Sequence, residues 1–316
     1  MAAALVLAFA ACDNSSAFNS DSSTEPQVGD QGIAVGDPAT MAEGDSADAA
    51  LAAPGTEIAL ASSSFDGGIP IGFFAQPNTA FGSTYNGAMR NDAAGSLRSN
   101  LAIIKSRGGK IIMNFSGSER YFKNSDGTFS LTKWKQRIER YKGVDINSYI
   151  SDGTIIGHYL IDEPNDPANW SGHPISASTV DEMARISKQI WPNLATIARV
   201  EPGYFNSPRY LDAAWAQYLA RRGNVNDYIR KVVSDAQDAG LGLVVGLNPL
   251  KGGTPNGTRM TASEVENFGS ALLSSTYPCA FVSWTWTNDF SGGSMKDAMT
   301  ALRRKAESRS MKSCRG

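Results

Sequence analysis

Asp162 and Glu163 stand side by side before Pro164, at the end of the apolar run "GHYLIDEPND" over 157–166. Neighbouring carboxyls repel, and partial burial disfavours the charge on each, so Glu163 is expected to hold its proton to a higher pH than a free carboxyl. That pattern suits proton transfer, in which one carboxyl donates while a second carboxylate attacks or activates water. Further polar and aromatic groups end other apolar runs: Gln76, Asn114 with Ser116, Arg199 with Glu201, and Gln217 with Tyr218. Asn248 follows, then Trp284, Trp286, Asn288 and Asp289.

Positioning these groups falls to short apolar runs that alternate with helical patterns from Gly68 onward. The runs are 69–76, 110–117, 154–163, 194–201, 212–219, 241–248 and 280–289. Their near-continuous apolar character predicts a parallel sheet covered on both faces. Stripes at helical spacing lie between them: Leu131, Trp134, Ile138 and Tyr141; Val180, Met183, Ile186 and Ile190; Ile229, Val232, Val233 and Ala236; Met295, Met299 and Leu302. Seven strands and six or seven helices predict an α/β fold, a (β/α)8 TIM barrel with one unit reduced or missing. An eighth strand is not evident. The gap between Glu201 and Asp212 is short for a crossover helix, and 212–219 reads as a strand in preference to a helix.

In such a barrel the C-terminal strand ends build the site, and the polar groups named above gather there. Carboxylates and amides bind hydroxyls, and indole faces pack on the apolar faces of pyranose rings. Trp284 and Trp286, two apart, are expected to point the same way, into the mouth or outward against helices. Hydrolysis of a glycosidic bond needs one protonated carboxyl and a second carboxylate. Glu163 is the candidate acid. Asp162 and Glu201 are candidate catalytic partners; alternatively Glu201 pairs with Arg199, and Asp162 caps the loop or sits near His158. Gln76, Asn114, Arg199, Gln217, Tyr218, Asn248, Trp284, Trp286 and Asp289 are candidate substrate contacts.

The segment "IIGHYLIDEPND" resembles the fourth-strand "NEP" signature of the clan-A glycoside hydrolases and, more closely, the "DEP" of glycoside-hydrolase-like barrels. "LDAAWAQYLARRG" and "LVVGLNPLKGG" are similar to the same group, so the resemblance covers most of 68–305. It implies that Glu163 occupies the acid/base position and that Asp162 replaces the usual Asn. The family's nucleophile is a Glu on the seventh strand, where this chain has Asn248, so the substitute partner would be Glu201, Asp289 or water activated by Asp162. The expected activity is therefore hydrolysis of a poly- or oligosaccharide. The rival expectations are a carbohydrate-binding protein with a degenerate site, and a barrel of unrelated chemistry.

The remaining features bound the setting. Residues 1–12 carry a short apolar run ending in "FAAC", which resembles a bacterial lipoprotein signal with Cys12 as the lipidated residue; an ordinary cleaved signal is the alternative. Residues 13–66, rich in Ser, Asp, Ala and Gly, read as a flexible acidic tether, and 67–316 as the barrel domain. These features predict export to the cell envelope, with membrane contact through a lipid anchor only. Cys279 and Cys314 fall at the same end of the barrel, as a disulfide or as two free thiols. All 29 Lys and Arg lie from Arg90 onward, leaving −10 before it and +8 beyond. Scattered on helices without an Arg-rich stripe, these charges predict no nucleic-acid partner. His158 and His173 lack ligand-spaced partners, so no metal is expected. "GLGLVVG" runs from helix to strand, the wrong order for cradling a phosphate, so no cofactor is expected either.

Overall fold

The computed structural model describes residues 68–315. The signal and lipidation segment with Cys12, and the tether over 13–66, lie outside the described residues. Eight parallel strands close in sequence order into a barrel: β1 (Ile71–Phe74), β2 (Gly87–Arg90), β3 (Lys110–Met113), β4 (Ile155–Asp162), β5 (Thr196–Arg199), β6 (Ala213–Tyr218), β7 (Gly242–Leu247) and β8 (Ala280–Ser283). Seven helices surround it: α1 (Leu97–Ser106), α2 (Leu131–Glu139), α3 (Asn147–Ser151), α4 (Ala177–Ile190), α5 (Val225–Asp238), α6 (Ala262–Leu272) and α7 (Gly293–Glu307).

The strand missing from the sequence reading is β2, "GAMR", four residues opening on glycine and ending on a charge. So short a run carries no periodicity of its own. Its glycine is a packing requirement, because an added Cβ on either Gly72 or Gly87 would collide with the facing backbone of the neighbouring strand. Residues 212–219 hold a strand, β6, as read. The β5–β6 connection carries only a 3-10 turn (Pro202–Tyr204), and β1–β2 only another (Asn78–Ala80). Two crossovers are thus reduced while all eight strands remain.

Side chains alternate between two cores. Met89, Ile112, Tyr159, Ile197, Trp215, Val244 and Val282 fill the barrel, where the Trp215 indole donates to the Val282 carbonyl at 3.1 Å. The helical stripes cover its outside. Trp134 and Ile138 of α2 and Val180, Met183 and Ile186 of α4 join one outer cluster. Ile229 and Val232 of α5 join the other, with Met299 and Leu302 of α7. Side-chain caps fix several helix starts: Ser130 accepts from the Lys133 amide, Ser176 from that of Thr179, and Thr261 with Glu264 forms a capping box.

At the strands' N-terminal end, Cys279 and Cys314 form a disulfide, with Cα atoms 5.3 Å apart. It ties the C-terminal segment to the start of β8.

Candidate active site

The site begins with an irregularity. Pairing of β4 with β5 shifts register between Tyr159 and Ile161, and this sets Asp162 opposite Arg199. The extra residue separates Asp162 from the parity of His158, so the expected proximity of the two does not occur. His158 instead lies buried outside the barrel, stacked on Trp134, its Nδ1 2.7 Å from the Ser187 hydroxyl. Burial pushes its pKa down to about 3.

Arg199 organises the floor of the mouth. Its Nε donates to Asp162, and its Nη1 donates to Gln217 Oε1 at 2.8 Å. Gln217 in turn donates from Nε2 to the Leu247 carbonyl at 3.3 Å. The guanidinium lies 5.1 Å from the Trp284 ring centroid, and Trp284 stacks on Phe74 at 4.3 Å. Burial alone would lower the arginine's pKa, but Asp162, Tyr159 and Glu163 together hold it firmly protonated. One cation thus joins the ends of β4, β5 and β6 beneath an aromatic cap.

Glu163 stands just beyond β4. Its φ of 34° lies in the left-handed region, uncommon for a non-glycine residue, and takes it out of the strand's alternation. The turn is held at both ends, because the Glu163 amide donates to the Arg199 carbonyl at 2.9 Å and its carbonyl accepts from Trp170 Nε1 at 3.2 Å. The side chain is 44% exposed, with Oε1 3.5 Å from Arg199 Nη2. Desolvation raises its pKa, Arg199 opposes the rise, and Asp162 adds to it.

Reading strand ends alone misses a third acid, Glu119, in the β3–α2 connection. Asn114 at the end of β3 shapes this loop. Its Oδ1 accepts from the Ser116 amide and hydroxyl and from the Gly117 amide, at 2.9–3.0 Å. Arg137 of α2 donates to the Ser116 carbonyl at 3.0 Å. Glu119 then opens a short 3-10 turn (Glu119–Tyr121), with Oε2 3.5 Å from Lys123 Nζ. Its Oε1 is buried and has no hydrogen-bond partner among the described residues. Burial, then the Asp162 charge, pushes its pKa up to about 7 against the pull of Lys123 and Arg199. The "NFSG" turn ahead of an acid was the only signal the sequence offered.

Asp162, Glu163, Arg199, Gln217 and Trp284 therefore gather at one place, while the other predicted residues make different contacts. Glu201 pairs with Arg222 instead of Arg199. The Asn114 side chain is occupied by its own loop, and Asn248 Oδ1 accepts from the Lys251 amide at 3.1 Å. Gln76 is fully buried, its carbonyl accepting from Arg90. Tyr218 faces outward against Tyr228 and Phe268, donating to the Gly223 carbonyl at 2.7 Å. Asp289 pairs with Arg259 in an exposed position. The two tryptophans do not point the same way, because β8 ends at Ser283 and its alternation ends with it. Trp286 packs edge-on against Phe73 and Tyr85 and lines a separate groove of about 410 Å³. Among the described residues no cluster of three His, Cys, Asp or Glu is placed to hold a metal ion.

No protein-family model matches the chain, and no curated protein matches it. Solved structures do. The endo-β-1,4-mannanase from Thermotoga petrophila superposes with a TM-score of 0.52 at 10% identity, over 76% of this chain and 77% of that one. A cellulase solved with an inhibitor superposes with a TM-score of 0.51 at 10% identity, over 76% of this chain and 92% of that one. At such identity the likeness is one of fold. What the chain shares with these two proteins is its fold, a closed eight-stranded parallel barrel.

Proposed function

We propose that the protein hydrolyses a glycosidic bond of a β-linked poly- or oligosaccharide, with Glu163 as a proton-transferring carboxyl at the mouth of the barrel. One observation carries this reading. Glu163 is turned out of β4 into a partly exposed position where burial raises its pKa, beside the Arg199–Asp162 pair and the Trp284 indole. A carboxyl placed in this way supplies one of the two that glycoside cleavage needs, and an indole beside fixed hydrogen-bonding groups suits a sugar ring. The fold likeness to a mannanase and a cellulase supports a β-1,4-linked glycan as the substrate class.

The second reading is a carbohydrate-binding protein that has lost catalysis. The end of β7 favours it: Leu247 and Asn248 stand where the resembled family carries its nucleophile, and the Asn248 side chain is engaged by its own turn. The Cys279–Cys314 bridge supports an oxidising compartment, and with the lipoprotein-like N-terminus a location in the cell envelope, anchored through Cys12.

A panel of β-1,4-glucans, mannans and xylans, digested with the wild type and with Glu163→Gln, separates the readings. Reducing ends released by the wild type and lost in the variant support hydrolysis. A glycan-dependent rise in Tm without release, equal in both proteins, would establish the binding reading instead.

A further inference from the structure

The hydrolase reading leaves one role unfilled, that of the second carboxyl. Most acids near the mouth are already engaged: Asp162 by Arg199, Glu201 by Arg222 and Asp289 by Arg259. Glu119 differs. Its Oε1 is buried and unpartnered among the described residues, at the end of a loop braced by Asn114 and Arg137. Its loop follows β3 at the same end of the barrel where Glu163 follows β4, and Asp162, Arg199 and Tyr159 all interact electrostatically with its carboxyl. Lys123 links the two flanks. It faces Glu119 Oε2 at 3.5 Å and lies 4.9 Å from the Trp170 ring, whose Nε1 holds the Glu163 carbonyl.

We propose that Glu119 is the second carboxyl of the site, handing its proton to the oxygen of the departing sugar while Glu163, as carboxylate, takes a proton from the incoming water. The proposal rests on the hydrolase reading above. The glycosidic C–O bond breaks and its electron pair goes to the leaving oxygen, which receives the Glu119 proton. Water oxygen bonds to the vacated carbon and gives one proton to Glu163, and exchange with solvent restores both groups. One water is consumed. The surroundings divide the roles in this sense. Glu119 meets Asp162 and Tyr159 from β4, Arg199 from β5 and Lys123 from its own loop, and its pKa near 7 keeps a proton available at neutral pH. Glu163 meets Arg199, Asp162, Asp166 and Arg222; burial raises its pKa, but both arginines oppose the rise and the side chain stays 44% exposed, so its charged form is the better supported of the two.

The test compares two leaving groups on the full chain. Wild type, Glu119→Gln and Glu163→Gln, each checked for a cooperative melt, are assayed on cellotetraose and mannotetraose and on the dinitrophenyl β-glycosides of glucose and mannose. Dinitrophenolate leaves without a proton, so loss of the acid is masked there. Glu119→Gln is expected to lose about 10²–10⁴-fold on the tetrasaccharides and less than about tenfold on the dinitrophenyl glycosides, with the alkaline limb of its pH profile gone. Glu163→Gln is expected to fall on both. An equal loss on both substrates in Glu119→Gln, or none on either, overturns the assignment while leaving the hydrolase reading standing. Full activity in Glu163→Gln removes Glu163 from the chemistry and overturns this inference; no turnover by the wild type on any of these substrates overturns the hydrolase reading as well.

Discussion

The state of Glu119 can be tested without any substrate, because its surroundings make it a stability liability. In the fold its pKa rises from the ordinary 4.5 to about 7, chiefly through burial. The folded chain therefore binds a proton across that window which the unfolded chain has released. Stability must fall as pH rises from about 4.5 to about 7 and stay lower above it. At about 1.4 kcal/mol per pH unit, the carboxylate costs roughly 3 kcal/mol at alkaline pH. Glu119→Gln keeps the shape of the side chain and removes the titration. In urea unfolding with the disulfide intact, the variant should match the wild type at about pH 4 and exceed it by roughly 2–3 kcal/mol at about pH 8.5. A stability difference that stays within about 0.5 kcal/mol across that range, as for an ordinary surface substitution, would refute the burial argument. The sign is as informative as the size, since a carboxylate held by Lys123 as a stabilising ion pair would make the variant weaker at high pH.

Two further outcomes follow from the framework around the site. Arg199→Met strands the Asp162 carboxylate in the barrel mouth and should lower unfolding stability at neutral pH by about 3–5 kcal/mol, with most of the loss recovered in the double variant carrying Asp162→Leu. A double variant as weak as the single one would show that Arg199 acts through packing alone. Cys279→Ser opens a bridge spanning 35 residues, for which chain entropy gives a loss of about 4 kcal/mol. A melt unchanged by this substitution or by reductant would contradict a stabilising role for the bridge.

Much of the architecture follows from sequence because its causes are local. Continuous apolar runs specify covered strands, and the stripes of α2, α4, α5 and α7 specify which face each helix buries. β2 was illegible for the complementary reason: four residues with two small side chains become a strand only because β1 and β3 supply its partners. The pairing of Asp162 with Arg199, and its separation from His158, depend on one extra residue in β4, invisible without the neighbouring strand. The same holds for Trp284 and Trp286, whose shared parity is lost once β8 ends.

The sequence by itself determined that an acidic pair would stand at the tip of a buried parallel strand, among amides and indoles at the same end of a barrel. Only the tertiary structure decided which of these groups meet. It engaged Asp162 and Glu201 with arginines, turned Tyr218 and Trp286 away, and brought forward Glu119 from a loop with no periodic signal. Periodicity says which way a side chain faces along its own element. Whether a carboxyl ends up paired, buried or exposed depends on charges and volumes that distant segments contribute.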